Sequence, residues 1–207
     1  MNTKNILIAL ISATTLIACG SDENENIDVE KNPMEALMKM GENMQKQAEK
    51  IEEKQKNREN ASAMHYEELM KYLPESIEDY EKNEPKGESV EMGEMSFSSA
   101  EVRFKNQQDE IKITLLDYNA ALSMYSMATA MWSTGFKIDN SKEKSQSVKL
   151  TDEITGWETI QKKSKDASLI LGINDRFLLT IEAENQENTD LLKEIAKQMD
   201  LSKLSSL

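Results

Sequence analysis

The chain of 207 residues has one cysteine, Cys19, and one histidine, His65. A single cysteine excludes an intrachain disulfide, so packing alone has to hold the fold. It also excludes a conventional zinc site, which carboxylates seldom form by themselves. A Ser-His-Asp arrangement would have to use His65, which sits beside Tyr66 in a short polar stretch, and no Gly-x-Ser-x-Gly elbow supplies its nucleophile. The seven glycines form no phosphate-cradling loop. Aromatic residues make up 5% of the chain, and Trp132 and Trp157 are its only tryptophans, so platforms for stacking sugars are scarce. Basic charge is in deficit, with 25 Lys and Arg against 38 Asp and Glu and a net charge of −13. Such a surface repels phosphate backbones and anionic head groups alike, which excludes nucleic acid as a partner. No apolar run reaches the roughly 20 residues that a bilayer-spanning helix needs.

What the chain does have begins at its N-terminus. Lys4 is the one charge before an uncharged, mostly aliphatic stretch from Ile6 to Ala18, which is the pattern of a secretory signal. Leu16-Ile17-Ala18-Cys19 closes that stretch and resembles the lipobox of bacterial lipoproteins, in which signal peptidase II cuts just before the cysteine. The resemblance implies that residues 1–18 are a signal peptide, that the Cys19 thiol carries a diacylglycerol, and that its freed amine is acylated. One myristoyl chain holds a protein only marginally, at about 0.8 kcal/mol per buried methylene, whereas two or three chains anchor it essentially permanently. The lipid consumes the only thiol, which removes thiol catalysis. Loss of Lys4 takes the net charge from −13 to −14. Gly20 stands where lipoproteins retained in the inner membrane carry Asp, which favours the outer membrane. Residues 21–25, Ser-Asp-Glu-Asn-Glu, resemble the acidic tag of surface-exported lipoproteins. Both the periplasmic face and the cell surface remain open.

Residues 19–32 read as a disordered acidic tether with only Ile27 and Val29 to bury. Asn32-Pro33 is a helix start, and residues 33–60 are rich in strong helix formers. Met34, Leu37, Met44, Ala48 and Ile51 follow coiled-coil spacing, with Gly41 in the gap and Gln55 at the end. Fewer than about three heptads rarely suffice for association. The segment is therefore expected to be a solvated stalk about 40 Å long at 1.5 Å per residue, and not a self-associating one.

Residues 61–207 are expected to form one globular α+β domain. Ala61–Leu73 reads as a helix with Tyr66, Leu69, Met70 and Leu73 on one face, stopped by Pro74. Residues 75–101 carry nine acids against Lys82 and Lys86, and the first half reads as loop because of Asn83, Pro85 and Gly87. Ala100, Val102 and Phe104 alternate with charges, as do Ile111, Ile113 and Leu115, with a hairpin over 106–109. Further strands are expected at 146–151, 157–163, 167–173 and 176–183, the last two flanking Asn174-Asp175, a pair that tolerates positive φ. Two helices, 119–133 and 189–199, are expected to cover one face of an antiparallel sheet of about five to six strands. Residues 66–206 resemble a class of secreted bacterial α+β domains. The resemblance rests on Leu73-Pro74-Glu75, the Met-Gly and Ser-Ser-Ala-Glu elements of 92–101, the Ile-Thr and Asp of 113–117, and Asp200-Leu201 with Leu204. Tyr80 and Glu81 replace the Gly-Trp expected there. These motifs imply a framework and carry no activity.

Two further chemistries need weighing. Thioethers bind Cu(I), but Met34 and Met38 fall on a different helix face from Met40 and Met44, because 34 and 40 are about 240° apart at 100° per residue. Met124, Met127 and Met131 fall in the helix expected to be core, where methionine is a flexible filler. Paired carboxylates about 5–9.5 Å apart would serve a glycosidase, but acids are so abundant here that their presence says little. The expectation is a lipid-anchored envelope protein that binds or scaffolds without catalysis, with no metal or cofactor, an envelope protein as its possible partner, and an oligomeric state left open. The alternatives are a carrier of a small apolar ligand or lipid between sheet and helices, and a carboxylate-based envelope enzyme.

Overall fold

The computed structural model describes Glu49 and residues 62–92, 95–119, 125, 129, 132, 137–151 and 153–207. The expected signal peptide and lipobox, the expected tether, all of the expected stalk but Glu49, and most of the expected 119–133 helix lie outside the described residues.

Nine strands make one antiparallel sheet: β1 (Glu81–Lys82), β2 (Lys86–Met92), β3 (Met95–Lys105), β4 (Glu110–Asp117), β5 (Lys137–Asp139), β6 (Glu143–Lys149), β7 (Ile154–Gln161), β8 (Ala167–Ile173) and β9 (Phe177–Ala183). Their order is β1-β3-β4-β9-β8-β7-β6-β5, and β2 also pairs with β3. β1 and β2 lie end to end along the outer side of β3, broken at Asn83-Glu84-Pro85. The expectation of five to six strands is thus corrected to nine. The missed strands are β1, β2 and β5 at the two edges. All but Lys82, Val90 and Ile138 of their residues are exposed, so no apolar alternation marks them.

The described helices are few and short, so the architecture is a sheet with small helical covers. Helix α1 is Tyr66–Met70, capped by His65, whose Nδ1 accepts from the Glu67 N–H. Residues 62–65, expected to be helical, precede it without helical structure. Helix α2 is Asp190–Gln198, and α3 is Leu201–Ser205. Leu192, Ile195 and Met199 are buried, as their spacing predicts.

Strand register sorts the sheet into rows of neighbouring side chains. On one face run Ala100-Leu115-Leu179-Leu171 and Val102-Ile113-Ile181-Leu169, all at 0–1% exposure. Leu69, Leu73, Leu192, Ile195, Leu201 and Leu204 close over this face in one cluster. Each such side chain contributes about 1.5–3 kcal/mol by leaving water. The opposite face holds a second, smaller cluster in which Tyr125 and Trp132 pack with Leu178, Leu116, Tyr118, Trp157 and Ile170. This corrects the expectation that all helical cover lies on one face against Ile111, Ile113, Leu169 and Leu179. The two described aromatics of the 119–133 segment lie on the other side. Gly172 makes that approach possible, because a Cβ there would sit 2.2 Å from the Tyr125 hydroxyl.

Candidate functional site

Tyr125 and Trp132 cover only the end of their face nearest Leu116 and Leu178. Toward the other end, register aligns Arg103, Lys112, Glu182, Ser168, Thr159 and Ser145 in a polar row across six strands. Around it opens a concavity of about 550 Å³, lined by Arg103, Glu110, Lys112, Gln161, Ser168 and Glu182 among others. These side chains belong to strands whose alternate residues fill the core, so the backbone beneath the row is fixed.

The charges in the row are largely answered by one another. Arg103 donates to Glu101 (2.8 Å) and Glu110 (2.6 Å). Lys105 lies 2.7 Å from Glu110, Lys112 pairs with Glu182, and Gln161 donates to Glu143 at 3.0 Å. Lys105, aided by Arg103, holds the Glu110 carboxyl below its ordinary value against partial burial. A glycosidase general acid needs the opposite direction. Alternating, paired charges on a broad open face suit contact with another mixed-charge surface.

Two buried carboxylates on the covered face were missed from the sequence. Asp117, at 0% exposure, ends the apolar series Ile111, Ile113, Leu115. Arg176 grips it bidentately, with Nε to Oδ1 at 2.9 Å and Nη2 to Oδ2 at 2.7 Å. The N–H groups of Met64 (2.7 Å) and Asn119 (2.9 Å) also donate to it. Ser96 accepts from the Ala63 N–H at 2.8 Å, and the Ser98 hydroxyl donates to the Met64 carbonyl. Residues 63–64, just before α1, are therefore fastened to the sheet by side chains of β3 and β4. Arg176 is the third residue of the β8–β9 loop, since Ile173 pairs with Phe177. Asn174 and Asp175 take positive φ as expected, but the loop holds one residue more than they alone would make.

Glu158, at 6% exposure, lies in the apolar row beside Leu169. Lys193 stands 2.7 Å away, and Thr189 and Gln146 donate to it. Burial pushes its carboxyl up, but the donors from Lys193, Thr189 and Gln146 outweigh that and leave it below the ordinary value. Both carboxylates tie elements together: Asp117 joins Met64 and the β8–β9 loop to β4, and Glu158 joins α2 to β7.

Of the residues singled out from sequence, Leu16, Ile17, Ala18 and Cys19 lie outside the described residues. His65 is exposed and caps α1. Trp132 and Trp157 meet in the second cluster. Among the described residues, no group of three or more His, Cys, Asp or Glu is placed to hold a metal, and no helix is long and apolar enough to cross a membrane. No protein-family profile, curated protein or solved structure matches the chain.

Proposed function

We propose that this is a lipid-anchored protein of the cell envelope, outer membrane favoured, that binds or scaffolds without catalysis. The observation that carries the reading is Cys19, the only cysteine, placed at the end of an apolar run in a lipobox-like tetrapeptide. The fastening of residues 63–64 to Ser96, Ser98 and Asp117 fits a domain that hangs from its N-terminal side. The open polar row around Arg103 and Lys112 supplies a surface for an envelope protein partner. A carrier of an apolar ligand between sheet and helices would need room there. Under α2 and α3, Leu192, Ile195, Met199, Leu201 and Leu204 fill that layer at 0–6% exposure, which favours the scaffold on that face.

Substitution Cys19→Ala tests the anchor. The variant should accumulate as an unprocessed precursor that lacks the lipid. A variant that matures and partitions into membranes like the parent would overturn the reading.

A further inference from the structure

The two edges of the sheet differ in charge. Over β1 and β2, residues 81–92 hold four acids against two lysines, and Glu84, Glu88 and Glu91 are exposed. One of the two lysines, Lys82, is engaged by Glu75 at 2.8 Å. Over β5 and β6, residues 137–149 hold four lysines against two acids, and Lys137, Lys142 and Lys144 are exposed. One of the two acids, Asp139, is engaged by Lys162 at 2.5 Å. A markedly acidic chain thus carries a locally basic edge opposite an acidic one.

Charges on an edge strand normally prevent pairing with another edge. They do so when the edges that meet carry the same sign. Opposite signs block like-with-like pairing and leave head-to-tail contact attractive. Topology fits that contact. With β1 and β2 sharing one position, the sheet has an even number of positions, all antiparallel, so its two edges run in opposite directions. A copy displaced sideways therefore presents β5 antiparallel to the β1–β2 edge, with the covered faces on the same side. β2 offers a long partner edge, since among the described strands it pairs only with β3.

We propose that the β1–β2 edge of one copy docks on the β5–β6 edge of a second copy. Such a contact is heterologous, so it propagates as a chain of subunits and does not stop at a dimer. The inference does not depend on the lipid anchor.

The test uses the full chain in the cells that make it, carrying Glu88→Cys and Lys142→Cys, one on each edge, treated with a flexible, membrane-permeant bis-maleimide. The double variant should give a ladder of dimers, trimers and longer species on a denaturing gel, and each single variant should stay monomeric. A parent control reports any reaction of Cys19 itself. Adding Glu84→Lys/Glu91→Lys to the double variant should abolish its ladder, as should adding Lys137→Glu/Lys144→Glu. Co-expression of these two charge-reversed chains should restore it, which also shows both to be folded. A double variant that stays monomeric would overturn the proposal. So would dimers from Glu88→Cys alone, or a ladder indifferent to charge reversal.

Discussion

The two faces of the sheet are built from the same strands, yet among the described residues one is sealed and the other only half covered. Under α2 and α3 the rows run Val102-Ile113-Ile181-Leu169 and Ala100-Leu115-Leu179-Leu171 with no polar side chain until Glu158 follows Leu169 on β7. On the reverse, Leu116, Leu178 and Ile170 meet Tyr125 and Trp132 near one end, and Arg103, Lys112 and Glu182 face solvent at the other. β8 registers the difference within one strand. Leu169-Ile170-Leu171-Gly172-Ile173 is continuously apolar because both sides are covered there, while Ser168 marks where cover on the reverse ends. Stability is therefore concentrated on one face, and the other is free to carry a contact surface.

The sharpest way to break the sealed face is at its rim. Asp117→Ala removes the acceptor of four hydrogen bonds and leaves the Arg176 guanidinium, whose side chain is 13% exposed, without its carboxylate. Loss of one partner from a buried pair costs about 3–5 kcal/mol, read as a lower denaturant midpoint. A midpoint within error of the parent would show that the clamp is dispensable.

Adjacent leucines compare the faces directly. Leu179 points into the sealed core at 0% exposure and Leu178 into the smaller cluster at 7%. Leu179→Ala should cost about 4 kcal/mol and Leu178→Ala about 2 kcal/mol, the upper and lower parts of the range for such truncations. Equal losses in urea titrations would mean that the second cluster is as tightly packed as the first.

Much of this division was legible beforehand. Alternation in 100–104 and 111–115 fixes β3, β4 and their inner face, and Leu192, Ile195 and Met199 fix the buried side of α2. The side on which Tyr125 and Trp132 lie was not legible, because small and apolar residues match either face of β8. The edge strand β2 was hidden because Lys86-Gly87-Glu88 reads as turn and solvated charge. The buried acids did leave a signal. Asp117 is in step with Ile111, Ile113 and Leu115, and Glu158 is in step with Ile154 and Ile160. A charge in an apolar register requires a buried partner. Arg176 and Lys193 come from a loop and from a helix that pair with those strands only in the folded chain.

The smallest effect is expected from acid. The Glu158 carboxyl, pushed up by burial but held down by Lys193, Thr189 and Gln146, ends below its ordinary value of 4.5. A depressed acid stabilises the fold fully above its unfolded value, and that contribution fades as pH falls through the folded one. Unfolding midpoints of the parent should therefore drop more steeply below pH 4.5 than those of Glu158→Gln. Parallel curves would remove Glu158 from the account of acid stability.

The anchor is the claim on which the functional reading turns, and the intact mass of the mature protein isolated from the cells that make it tests it most directly. The account predicts a polypeptide that begins at Cys19 and carries a diacylglycerol on its thiol with a further acyl chain on its amine. A mature chain that begins elsewhere, or that begins at an unmodified Cys19, would contradict it.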